Sequence, residues 1–112
     1  MPVVLVGIRK KDFPKKQLSA VSPMIQQIIA EELSVTSKKL KPNEVNVLPI
    51  TCLDTMTKNS VVMVIFAHNY QKRIKRHEAI RKKIWARVRE LIPGKLGFDV
   101  SLILAPISWG EE

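Results

Sequence analysis

Apolar runs and stretches of helical period alternate twice along this 112-residue chain. Residues 3–8 are apolar at successive positions and read as a strand, followed by a charged loop over residues 10–14. From there Leu18, Val21, Ile25, Ile28, Ile29 and Leu33 recur at helical spacing, which predicts a helix over residues 15–34, bent at Pro23. Residues 44–51 predict a second strand, with Pro42 keeping its approach out of a helix. After a loop, residues 61–67 predict a third strand. Ile74, Ile80, Ile84, Trp85, Val88 and Leu91 then predict a second helix over residues 71–92, ended by Pro93 and Gly94. Residues 100–107 predict the last strand. Pro49 and Pro106 cannot donate to a ladder, so each marks a strand end, an edge or a bulge.

The pattern also repeats. Residues 2–8 align with residues 60–66, and residues 45–51 with residues 102–108, so residues 1–57 and 58–112 read as two strand-helix-strand units of one domain. The expected fold is α/β: duplicated β-α-β units forming a four-stranded mixed sheet with two helices on one face. Two helices cover only one side, yet strands 1 and 3 are apolar at consecutive positions, as in sheets buried on both faces. The second face is therefore expected to bury against other copies of the chain, because leaving several Val, Leu and Ile side chains wet costs about 25 cal/mol per Å² of apolar surface.

Composition narrows the class. A chain of this length buries roughly 65% of the surface its unfolded form exposes and folds without staples. Cys52 is the single cysteine, so no internal disulfide forms, and no apolar run reaches the roughly 20 residues of a membrane span. With no signal-like N-terminal pattern, a cytoplasmic location is expected. The formal net charge of +9 is concentrated: residues 71–92 carry nine basic side chains against Glu78 and Glu90.

Candidate chemistry starts at Pro2. Once Met1 is removed, its nitrogen is a secondary amine held by a ring that fixes φ. The reference pKa of an α-amino group is about 7.7 to 8.0, and apolar burial or nearby cations lower it, which favours a neutral general base near ambient pH. The Met-Pro opening of a short first strand, the two strand-helix-strand units and the oligomeric sheet together resemble the tautomerase superfamily, which includes 4-oxalocrotonate tautomerase and macrophage migration inhibitory factor. Pro23 and the Ile65-Phe66-Ala67 run into the second helix resemble a small bacterial branch of it most.

The resemblance implies a homotrimer with its sheets facing inward and its helices outside, and Pro2 in a pocket at a subunit boundary. It further implies proton transfer on a small anionic enol or keto acid, with Pro2 as the catalytic residue. Where the family's enzymes place arginines to hold a substrate carboxylate, this chain has Asp12 and Asn46, neither of which can do so. Arg9, Lys10 and Lys11 are the cations available after the first strand, and the imidazole of His68, at the end of the third, is the candidate proton carrier. Lys38, Lys39 and Lys41 are expected to approach from the loop after the first helix, and Trp109 with the acidic tail is expected to pack across a neighbouring subunit. Cys52, His68 and His77 have no metal-ligand spacing, so no metal and no cofactor are expected.

Two other classes fit parts of the pattern. One is a non-enzymatic oligomer of the same fold. The other is an RNA-binding ferredoxin-like module contacting phosphates through the basic second helix, although the aromatics that read bases are missing from the strands apart from Phe66.

Overall fold

In the computed structural model, which describes residues 2–35, 39–52 and 58–106, the strands β1 (Val3–Arg9), β2 (Asn46–Cys52), β3 (Val61–His68) and β4 (Phe98–Ala105) form one sheet in the order β2-β1-β3-β4. β1 pairs with β2 in parallel and β3 with β4 in parallel, while the two central strands run antiparallel. The sheet is mixed, as expected. Helix α1 (Lys15–Leu33) connects β1 to β2, and α2 (Gln71–Lys75) with α3 (His77–Arg89) connects β3 to β4. Each strand therefore lies beside the other strand of its own unit. A ferredoxin-like module splits its units by placing a strand between those two, so the topology here is a different one.

Burial alternates along the central strands. Val4, Val6 and Ile8 of β1 and Val61, Met63, Ile65 and Ala67 of β3 are buried in one core with Leu18, Ile25, Ile29 and Leu33 of α1 and Ile80, Ile84 and Val88 of α3. The opposite face carries Val3, Leu5, Val62, Val64 and Phe66, all half-buried within one chain. At its margins Leu48, Ile50 and Ile103 are 48%, 46% and 41% exposed. The consecutive apolar positions thus reflect one face under helices and one face left open among the described residues.

Three local features differ from the sequence pattern. First, Val3 lies opposite Phe66 and Ile8 opposite Val61, and the buried residues of β1 are even-numbered while those of β3 are odd-numbered. The halves therefore superpose face on face only at an odd offset; aligning residue 2 with residue 60 would set buried Val4 on half-buried Val62, since one residue of slip turns every side chain to the other face. Pro49 and Pro106 are not equivalent either: Pro49 sits inside β2, an edge strand, whereas Pro106 follows the end of β4.

Second, the second helix is broken at Arg76, which has φ −112° and ψ 19°, and α3 ends at Arg89. Its end is held by Arg89, whose Nη1 donates to the Leu96 carbonyl at 2.6 Å and whose Nη2 donates to the Gly94 carbonyl. Third, Ile74 and Trp85 are 45% and 39% exposed, and Arg73 is buried instead, at 2% exposure. Stepping back from Val88 through Ile84 and Ile80 by helical intervals leads to His77 and Arg73, not to Ile74. By contrast, α1 runs unbroken through Pro23, where the Ser22 hydroxyl donates to the Leu18 carbonyl at 2.9 Å. Lys38, Ile107, Trp109 and the acidic tail lie outside the described residues.

Candidate active site

Pro2 is buried at the start of β1, and its carbonyl accepts the Asn46 N–H at 3.0 Å, which ties it to the first residue of β2. The alternation of β1 turns its ring toward the helix-covered face with Val4 and Val6. Continuing the β1–β3 register by one step sets Ala67 across from Pro2, so the last residues of β3 share its end of the sheet. Its surroundings, with Val45 and Ala67 each 1% exposed, are apolar. Such a setting disfavours the charged form of an amine.

His68 is brought to this end, half-buried, and by alternation belongs to the open face. Its ring centroid is 4.7 Å from that of Tyr70. Arg9, Lys10 and Lys11 are not brought there. They leave the opposite end of β1, seven residues or about 23 Å along the strand from Pro2. Lys10 and Lys11 are exposed, whereas Arg9 pairs with Asp12 at 3.3 Å. Asp12 in turn accepts the Ser60 hydroxyl at 2.8 Å, and that bond first, with Arg9 second among the attractive causes, holds its carboxyl below the usual value. Asp12 is thus part of a brace between the β1 end and the β3 start, and Asn46 is a ladder residue beside Pro2.

The residue that sequence reasoning missed is Arg73. Its Nε donates to the Leu33 carbonyl at 2.9 Å and its Nη1 to the His68 carbonyl at 3.0 Å, while the guanidinium lies 4.8 Å from the Tyr70 ring centroid. Burial pushes its pKa down from the ordinary guanidinium value, partly opposed by Tyr70. It joins the end of α1 to the end of β3 and sets a planar cation at the Pro2 end of the sheet. The available signal was a basic residue on the core-facing stripe of a helix. His77 gives the same signal, and its Nε2 lies 2.6 Å from the Leu102 carbonyl.

Much of the basic charge on the second helical segment is engaged within the chain. Besides Arg73 and Arg89, Arg81 pairs with Glu78 at 2.8 Å, and Arg87 bridges Glu31 and Glu32 of α1 at 2.8 and 3.0 Å. Among the described residues there is no group of three His, Cys, Asp or Glu placed to hold a metal, and no helix is long and apolar enough to cross a membrane.

The topology defines a duplicated β-α-β protein with a proline at the start of its central strand. No protein-family model and no curated protein matches the sequence. Solved structures do match in fold. A macrophage migration inhibitory factor-like protein from Entamoeba histolytica is 11% identical with a TM-score of 0.63, over 99% of this chain and 95% of that one. The fused 4-OT F6, an asymmetric trimer, is 12% identical with a TM-score of 0.62, over 93% and 86%. An FG41 malonate semialdehyde decarboxylase inhibited by 3-bromopropiolate is 10% identical with a TM-score of 0.65, over 97% and 89%. The chain shares its fold with these solved structures.

Proposed function

We propose that this protein is a tautomerase-type proton-transfer catalyst acting on a small anionic enol or keto acid, with Pro2 as general base. The observation that carries this reading is the burial of Pro2 in apolar surroundings at the start of the central strand of this fold. With Met1 removed, the neutral amine takes the proton of an enol hydroxyl and returns it to carbon, leaving the ketone and a regenerated base. His68 shares the Pro2 end of the sheet but belongs to its opposite face, so the proton transfer in this reading rests on Pro2 alone.

The anion-holding cations Lys10, Lys11 and Arg9 lie too far along β1 to serve Pro2 of their own chain, so in this reading a neighbouring copy supplies them. That requirement agrees with a homotrimer closed over the open sheet face, and the fused 4-OT relative is itself a trimer. Within this set Lys10 and Lys11 are the more accessible, because Arg9 is engaged with Asp12.

The test is the intact mass of the purified protein followed by an enol–ketone assay. The expected result is loss of Met1 and a fall in rate of about 10²- to 10⁴-fold for Pro2→Ala. Retention of Met1, or equal rates for the two proteins, leaves the second reading: an oligomer of this fold without catalytic activity. The observation favouring that second reading is the Asp12 brace, a structural use of one position where the family's enzymes hold substrate.

A further inference from the structure

A second cationic feature lies on the outside of the helical layer. Where α1 ends, Ser34 and Val35 face the second helical segment across a cleft of about 240 Å³, whose far wall is made by Lys72, Lys75, Arg76 and Ile80. Lys72 and Lys75 are spaced i and i+3 on α2, Arg76 follows at the break, and Ile80 is reached in the first turn of α3; all four line the cleft. The one acid in the lining, Glu32, has its carboxylate bound to Arg87 at 3.0 Å. Among the described residues neither Lys75 nor Arg76 has an ion-pair partner.

This clustering works against local stability. Like charges three and four residues apart on a helix repel, and the helix is interrupted at Arg76 within the cluster. Nothing in the core requires these cations, since the packing here is done by Ile80 and the buried Arg73. The cleft pairs a cationic wall with an apolar contribution from Val35 and Ile80, and its volume exceeds that of a bare ion.

We propose that this cleft between the end of α1 and the Lys72–Arg76 face binds a small phosphorylated organic anion: the phosphate between Lys75 and Arg76, the carbon skeleton against Val35 and Ile80. Neither Pro2 nor His68 lines this cleft, and the proposal does not rest on the proton-transfer reading.

The test is titration of the full-length protein with phenyl phosphate and with inorganic phosphate at 0.1 M salt, followed by calorimetry and amide chemical shifts. Saturable binding, tighter for phenyl phosphate, with shifts centred on Ser34, Val35 and Ile80, is expected. Lys75→Glu with Arg76→Glu should weaken it at least tenfold, and the singly truncated Lys75→Ala and Arg76→Ala proteins should each weaken it several-fold. Lys82→Glu with Lys83→Glu, which changes net charge by the same amount on exposed positions of α3, should leave affinity within twofold. Equal loss in both double variants would show that overall charge and not the cleft holds the anion. That result, absence of saturable binding, or shifts confined to other surfaces overturns the proposal.

Discussion

Pro2, Arg73 and Asp12 show three ways a single residue is defined by what surrounds it. Pro2 was recognisable from its place in the chain, and the fold adds its burial. Arg73 was counted as one of nine basic residues on a helix, but its partners are two carbonyls and an aromatic ring. Replacing it with Met leaves the Leu33 and His68 carbonyls without their donor in a buried site, which predicts a loss of about 2–4 kcal/mol in urea unfolding. Arg73→Lys keeps the charge but not the planar fork, so its loss should be smaller than that of Arg73→Met. Asp12 has a native pKa below its unfolded value because the Ser60 hydroxyl and Arg9 favour its charged form. Its contribution is therefore fully present above about pH 4 and lost as pH falls through the native value. Unfolding measured at pH 7 and pH 3 should show a shallower acid loss in Asp12→Asn than in the unaltered protein. An identical pH dependence in both would remove Asp12 from this role.

At the scale of elements, periodicity located both helices but not their interruptions. α1 tolerates Pro23 in its ninth position, where the missing N–H leaves the carbonyl one turn earlier without its helical donor. Pro23 is exposed, so Pro23→Ala restores that bond without disturbing the core and should stabilise by about 1–3 kcal/mol in urea unfolding. No gain would mean that the helix has already relaxed around the ring. In the second helix the apolar list included Ile74 and Trp85 because hydrophobicity alone was counted. The core-facing stripe instead runs through the buried Arg73, Ile80, Ile84 and Val88, with Arg73 reaching backbone carbonyls and the exposed His77 beside it reaching the Leu102 carbonyl. The repeat had the right order throughout, but between β1 and β3 it had the wrong parity. Successive apolar residues on β1 and β3 carry no alternation to read, so only the hydrogen-bonded register reveals which of them share a face.

For the whole molecule, the open sheet face decides between a monomer and an assembly. Its central row runs Leu48, Leu5, Val64 and Ser101 across the four strands, with Val3 and Phe66 in the next. Val64 is half-buried in a single chain, so Val64→Glu should leave the chain folded while destroying contacts between copies. Light scattering is expected to give three times the 12.7 kDa chain mass for the unaltered protein and one chain mass for Val64→Glu. A well-folded unaltered protein at one chain mass would remove both the trimer and the shared pocket. The net charge of +9 belongs to this scale too: with Arg73, Arg81, Arg87 and Arg89 engaged internally, the basic helix is less of a phosphate-binding surface than its composition suggests.

The sequence by itself determined the element order, the duplication, the apolar character of both sheet faces and the position of Pro2, because these depend on local periodicity and on residue type. It also supported the comparison with the tautomerase fold. Only the tertiary structure decided that Pro2 and His68 share one end of the sheet while Arg9, Lys10 and Lys11 occupy the other. The antiparallel pairing of β1 with β3 joins residues 53 to 63 positions apart, and no local pattern encodes its register. The same long-range packing turned Arg73 inward: a guanidinium is buried when distant carbonyls are arranged to receive it, and those carbonyls exist in place only once α1 and β3 have come together.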